Sequence, residues 1–309
     1  GAAWTVDETS GQVVLGQEPG GEVELSVLPW AVRSDADDVA VSGLTFVHYA
    51  NLATIGVIHM DEGAERWELS SCVVLDSHGV GAVVRDAARV FACWIEGMGQ
   101  QGLGGAGTGL VVEHNTFARN TRLGFERGWS VGGAKFGSTI GLEVRHNAVL
   151  DNAGPGLWTD TDAVDTTYEH NWVEGNSGPG IFHEISQAAL IRGTRVIDNG
   201  HGDSGADSGA GNKVASSVDV VVTGNVGEAN RQAIIGTDQG RGDGAFGPRI
   251  LDSLTVVDNE VVDSGQTGIA QDQGDRTVYE RDHVFAGNSY RGAVAWSWLD
   301  AIRSFDEWQ

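Results

Sequence analysis

Hydrophobic positions in this chain fall into short runs, each closed by an asparagine and followed by a glycine-bearing turn, and the phrase repeats. Its clearest copies are Leu110-Val111-Val112-Glu113-His114-Asn115, Leu142-Glu143-Val144-Arg145-His146-Asn147, Thr167-Tyr168-Glu169-His170-Asn171, Val220-Val221-Val222-Thr223-Gly224-Asn225 and Leu254-Thr255-Val256-Val257-Asp258-Asn259. A second asparagine follows five residues on, at Asn120, Asn152, Asn176 and Asn230, and at Asn199 when Thr194 takes the first place. Period-2 alternation within the runs marks strands, and no long 3.6-residue periodicity competes with it. Copies recur roughly every 21 to 34 residues, the range of a solenoid repeat. A unit of about 23 residues is too short for paired helices and shows no leucine-rich consensus, which leaves a parallel β-helix with one repeat per coil. Asparagines at the same bend would then form an internal ladder, with Val, Leu and Ile stacked inside.

The pattern predicts an all-β, single-domain parallel β-helix of about nine to ten coils, a rod about 45 Å long at strand spacing. Residues 1–33 read as an entry segment or cap, with a strand over Glu22 to Val27, and residues 34–289 as the solenoid. Residues 290–309, with Trp296, Trp298, Leu299, Ile302, Phe305 and Trp308, read as a C-terminal aromatic cap over the exposed sheet edge.

Composition agrees: 46 glycines and five prolines in 309 residues suit short strands joined by tight turns. The formal charge of −24 argues against nucleic acid or an anionic membrane as partner. No 18-residue apolar run predicts a membrane span, and the absence of a leader pattern fits a mature secreted protein. Cys72 and Cys93, 21 residues apart, should sit in adjacent coils, as stacked core thiols in preference to a bridge.

Three copies are lengthened after the glycine turn, at Arg127 to Gly133, His201 to Gly211 and Thr237 to Pro248. Insertions at one corner of a solenoid collect on one face, where ligands bind. They flank the richest polar stretch, Gly154 to Ser186, in which Gly154-Pro155-Gly156-Leu157-Trp158 recurs as Gly178-Pro179-Gly180-Ile181-Phe182. Residues two apart in a strand share a face, so Trp158, Asp160 and Asp162 should point together. Carried forward from Gly180, the register sets Asp160 beside Glu184; counted back from Asn171 and Thr194, it sets Asp160 beside His183. Paired carboxylates held at strand spacing suit glycoside hydrolysis, because crowding raises the pKa of one and leaves an acid beside a base or nucleophile.

The candidate catalytic residues are therefore Asp160, Glu184, Asp162 and His183. Trp158 and Trp129 would stack on sugar rings, and Glu126, Lys135, His201 and Asp165 are further candidates for substrate binding. Lys135 and Lys213 hold equivalent positions twelve residues before Asn147 and Asn225, which also suits a structural role. No metal or cofactor is expected, although Asp160, Asp162 and Asp165 could cap turns or hold calcium.

The repeat phrases, with Gly132-Gly133-Ala134-Lys135-Phe136, Gly156-Leu157-Trp158-Thr159-Asp160 and Phe182-His183-Glu184-Ile185-Ser186, resemble the secreted right-handed parallel β-helix proteins of the pectate lyase-like group. The resemblance covers the chain from about residue 34. It implies an extracellular carbohydrate-active protein on an oligo- or polysaccharide and leaves room for a homotrimer. That fold hosts hydrolases, lyases, epimerases and non-catalytic modules alike. The adjacent Asp-Asp pair and Arg-x-Lys motif of polygalacturonases are missing. A glycoside hydrolase or transglycosidase is the leading expectation. A polyuronate lyase or C5-epimerase, with Lys135 or His183 as base, and a non-catalytic glycan-binding or surface-assembly module are the alternatives.

Overall fold

Each repeat folds as three short parallel strands separated by bends, so that the chain winds into a β-helix with three faces. The computed structural model describes all residues except 1–3, 8, 203–208, 272–275, 299, 300 and 309; Leu299 and the middle of the second insertion lie outside it. One coil comprises Leu157–Asp160, Val164–Glu169 and Trp172–Glu174, and the next Ile181–Glu184, Gln187–Arg192 and Arg195–Ile197. The first two faces run together as a 22-stranded sheet and the third has ten strands, which counts ten coils among the described residues.

Alternation along each strand turns one set of side chains into the lumen. Leu157, Tyr168, Val173, Ile181, Ile191 and Val196 are all fully buried there. Asparagine ladders close two of the bends. Asn147 Nδ2 donates to Asn171 Oδ1 at 3.0 Å and to the Val112 carbonyl at 2.9 Å, while Asn152 Nδ2 donates to Asn176 Oδ1 at 2.8 Å. These bonds satisfy buried backbone groups at bends that the sheets leave unpaired. Cys72 and Cys93 are free, buried thiols that continue the first ladder: the Cys93 N–H donates to Asn115 Oδ1 at 2.8 Å and the Cys72 N–H to Cys93 Sγ at 3.4 Å. Burial pushes the Cys93 thiol up to about 11.

At the N-terminal end Trp4–Asp7 pairs antiparallel with Gln12–Leu15. The expected strand over Glu22 to Val27 does not form. Val23, Leu25 and Val27 are 56, 57 and 69 % exposed, and alternation becomes a strand only where one face finds a partner. At the other end Ala295–Trp298 adds in parallel to the first face and Ala301–Arg303 folds back on it antiparallel. Trp296 packs on Phe305, and Phe285 on Trp308, each pair with ring centroids 5.1 Å apart. No helix among the described residues is long and apolar enough to cross a membrane.

Candidate active site

The first face carries two outward columns of side chains. The register Lys135↔Trp158, Trp158↔Phe182 and Phe182↔Lys213 stacks a cation, two aromatic rings and a second cation over four successive coils. Lys135 Nζ lies 3.4 Å from the Trp158 ring centroid, the two rings stack at 5.4 Å, and Lys213 Nζ lies 5.2 Å from the Phe182 centroid. Two residues on, Gly137 is opposite Asp160 and Glu184 is opposite Ala215. Since Thr159 pairs with His183, the next outward residues in the two strands are Asp160 and Glu184.

The register ambiguity is thereby located. Asp160 neighbours Glu184, and the one-residue slip follows it: Val164 pairs with Gln187, 23 residues on, after Leu157 and Ile181 have paired at 24. Thr161 and Asp162 take up the extra residue with φ of 54° and 59°. Two consecutive left-handed residues are uncommon outside glycine and mark a bend imposed by the surrounding packing.

Glu184 and Asp160 sit in opposite environments. Glu184 is 8 % exposed, accepts from Trp158 Nε1 at 3.2 Å and from the Arg241 guanidinium at 3.1 Å, and has its pKa raised by burial first and the Asp160 charge second. Asp160 forms an ion pair with Lys135 at 2.7 Å. Both acids line a cleft of about 410 Å³ together with Trp158, Phe182, Lys213 and Arg241, and with Arg127 of the first insertion.

The family described as right handed beta helix region matches residues 56–226, more than half of the chain. The chain belongs to the right-handed β-helix family. Among solved structures, the complex of XylC with xylose is similar at 12 % identity and a TM-score of 0.60, over 82 % of this chain and 52 % of that one. A double mutant of the periplasmic alginate epimerase AlgG is similar at 13 % identity and a TM-score of 0.52, over 82 % and 69 %. At these identities the likeness is one of fold. A search of curated proteins finds no match.

Within this β-helix several expected site residues lie elsewhere. His183 faces the lumen, fully buried, with Nδ1 2.6 Å from Thr159 Oγ1, and Thr159 Oγ1 accepts from Tyr168 OH at 3.1 Å. Burial lowers the His183 pKa to about 3, so the ring is neutral and shielded from any substrate in the cleft. The parity of the strand decides this, since Phe182 and Glu184 on either side point out. Trp158 points into the cleft but is 4 % exposed, with Lys135 against its ring and Phe182 stacked on it, so its faces are not open to a sugar. Asp162 turns away after the bend to Arg249, at 2.9 Å, which holds its carboxyl below the usual carboxylate range.

Asp165 occupies an exposed left-handed bend equivalent to Ala188 and Asp219 in the next two coils. Asp160, Asp162 and Asp165 thus sit in three different surroundings, and no group of three or more acidic, histidine or cysteine side chains that could hold a metal ion is found among the described residues. His201 Nε2 lies 2.9 Å from the Ala229 carbonyl and 3.3 Å from Asp198 Oδ1, and His201 is not among the residues that line the cleft. Glu126 and Trp129 are exposed in the loop that supplies Arg127 and Gly128 to the cleft, and the Trp129 carbonyl accepts from Lys135 Nζ at 2.6 Å.

Sequence reasoning missed the arginines. Arg241 and Arg249 belong to the third insertion, which reaches back two coils to Glu184 and three to Asp162, and Gln187 Nε2 donates to its Phe246 carbonyl at 2.8 Å. Arg127 donates to the Gly202 carbonyl at 2.9 Å and so joins the first and second insertions. The signal within reach was Arg241 between two glycines, Gly240 and Gly242, in an inserted loop.

Proposed function

We propose that the protein is an extracellular carbohydrate-active enzyme, a glycoside hydrolase or transglycosidase, with Glu184 as general acid and Asp160 as the ionised carboxylate. The observation that carries this reading is the unequal treatment of two adjacent outward acids. Glu184 is desolvated against Trp158 and Phe182, which raises its pKa and favours the protonated form, while Asp160 is held by the ammonium of Lys135. A carboxylic acid that stays protonated can give its proton to a glycosidic oxygen as the bond to the sugar breaks. The ionised partner can stabilise the positive charge that develops on the ring, activate water, or attack the anomeric carbon. In this reading Lys135 sets the position of Asp160. The test is reducing-end release on a panel of neutral and acidic glycans by Glu184→Gln and Asp160→Asn, assayed separately. Unchanged turnover in both variants sinks the assignment of these two acids, and no turnover by the parent on any glycan leaves a glycan-binding module.

The cleft's charge favours a second reading. In a chain of net charge −24 with 19 basic residues, Lys135, Lys213, Arg127 and Arg241 gather around this one pair of acids. That concentration can neutralise a uronate carboxylate, as a polyuronate lyase or C5-epimerase requires before proton abstraction at C5. A product absorbing in the ultraviolet as an unsaturated uronate would select the lyase over the hydrolase.

A further inference from the structure

One inner column of the first face is apolar except at two adjacent places. Its register runs from Val84 through Phe136, Thr159, His183 and Val214 to Ile269, with glycine in two further coils. The two polar members, Thr159 and His183, immediately precede Asp160 and Glu184 in the chain. Both are fully buried, where polarity destabilises unless it is paired. The Thr159 hydroxyl accepts from Tyr168 OH at 3.1 Å and so gives its own proton to His183 Nδ1, 2.6 Å away. The neutral ring therefore carries its proton on Nε2, which has no partner among the described residues. Phe136 and Val214 fill the coils on either side with no such orphaned donor. Core packing alone does not account for the polar pair.

The inner bond falls where the ladder between the two coils stops. Thr159↔His183 is the last pair between Leu157–Asp160 and Ile181–Glu184, and beyond the acids the spacing drops from 24 residues to 23 through the left-handed bend of Thr161 and Asp162. Asp160 and Glu184 thus end their strands just past the last paired position. The Thr159–His183 bond ties the two strands one residue before them, and Tyr168, from the second strand of the coil that carries Asp160, braces it from within the lumen.

We infer that the buried Tyr168–Thr159–His183 chain is a positioning device for the acid pair. It holds the Asp160 and Glu184 carboxylates at the separation the proposed reaction requires, and His183 and Thr159 are positioning residues that never meet substrate; this rests on the glycan-active reading of the two acids. A misplacement of about 1 Å in a reacting group lowers a rate by about a hundredfold, which explains a bond retained at some loss of stability.

Turnover is measured on whichever of soluble xylan, inulin, dextran, polygalacturonate and alginate the parent degrades fastest. The triple replacement Thr159→Val, Tyr168→Phe, His183→Leu puts apolar groups of similar shape at every member, so it should melt no lower than the parent. Its kcat should nevertheless fall between about tenfold and about a hundredfold, with KM within about twofold. His183→Asn keeps an acceptor at the place of Nδ1 in a smaller side chain; it should melt lower and retain most of kcat. A purely structural cluster gives the reverse order. Should the triple variant not fold, His183→Leu is read in its place. A crystal structure of the apolar variant gives a readout free of turnover: the two carboxylates should move relative to each other by about 1 Å. Unmoved carboxylates overturn the positioning role, as does a kcat within about twofold of the parent or a His183→Asn as slow as the apolar variant. Loss of turnover in Glu184→Gln alongside any of these leaves the proposed function standing. A parent inert on all five polymers removes the proposed function, and the crystal structure then decides the positioning role alone.

Discussion

Glu184 lies between an indole N–H, a guanidinium and a second carboxylate while nearly out of water, and the proposed reaction rests on that setting. Removing its proton-donating capacity should lower turnover by between about 10² and 10⁴, the usual worth of a positioned general acid, with substrate affinity largely retained. Steady-state kinetics of Glu184→Gln reads this directly. The same group makes a stability prediction. Its folded pKa is raised, so the native state holds the proton more tightly than the unfolded chain does, and stability falls as pH rises from the ordinary glutamate range, about 4.3, through the raised value. Gln has no proton to lose. The melting temperature of Glu184→Gln relative to the parent should therefore climb as pH rises above the ordinary glutamate range, and a flat difference would refute the desolvated state. His183 makes the opposite case: with a pKa of about 3 it stays neutral across that range and should leave no inflection in the pH–rate profile.

At the scale of elements, the ladders and the third insertion carry separate burdens. Asn147 serves both neighbouring coils, accepting from the Asn115 backbone N–H at 2.9 Å and donating to Val112 and Asn171. Asn147→Ala strands several buried polar groups at once and should cost about 3 kcal/mol in urea unfolding, without altering the cleft. The insertion after Thr237 is tied down by Arg249 on Asp162 and by Arg241 on Glu184, both pairs partly buried. Arg249→Ala leaves Asp162 uncompensated, so proteolytic cleavage within residues 239–250 should accelerate while the β-helix core stays protected. Of these features the asparagine ladders were legible in the sequence, because a repeated residue at a repeated bend is a pattern. The arginine clamps were not, since a cation in a loop gives no sign of which coil it will reach.

At the scale of the molecule, a solenoid has two open sheet edges and must cover both. The C-terminal end does so by turning Ala301–Arg303 antiparallel against Ala295–Trp298 and laying Phe305 and Trp308 over the last coil. Removal of residues 293–309 uncovers the Gln266–Gln271 edge strand, and the shortened chain should associate, seen as a shift to larger species in size-exclusion chromatography. The charge of −24 is spread over the rod, whereas the cleft gathers cations. Net charge therefore did not foretell the local field of the cleft.

The sequence by itself determined the β-helix, its coil number, its ladders and the neighbourhood of the acids, because each is a periodic property and stacking converts period into position. It named Asp160 and Glu184 but left open whether Glu184 or His183 faces Asp160. Only the tertiary structure decided that, by placing the extra residue at Thr161 and Asp162, after the pair and not before it. A shift of one residue reverses which side chains point inward, so the same stretch would have buried the acid and exposed the imidazole. The covering of the Trp158 ring by Lys135 and the arrival of Arg241 at Glu184 were also decided in three dimensions, by side chains that meet across coils.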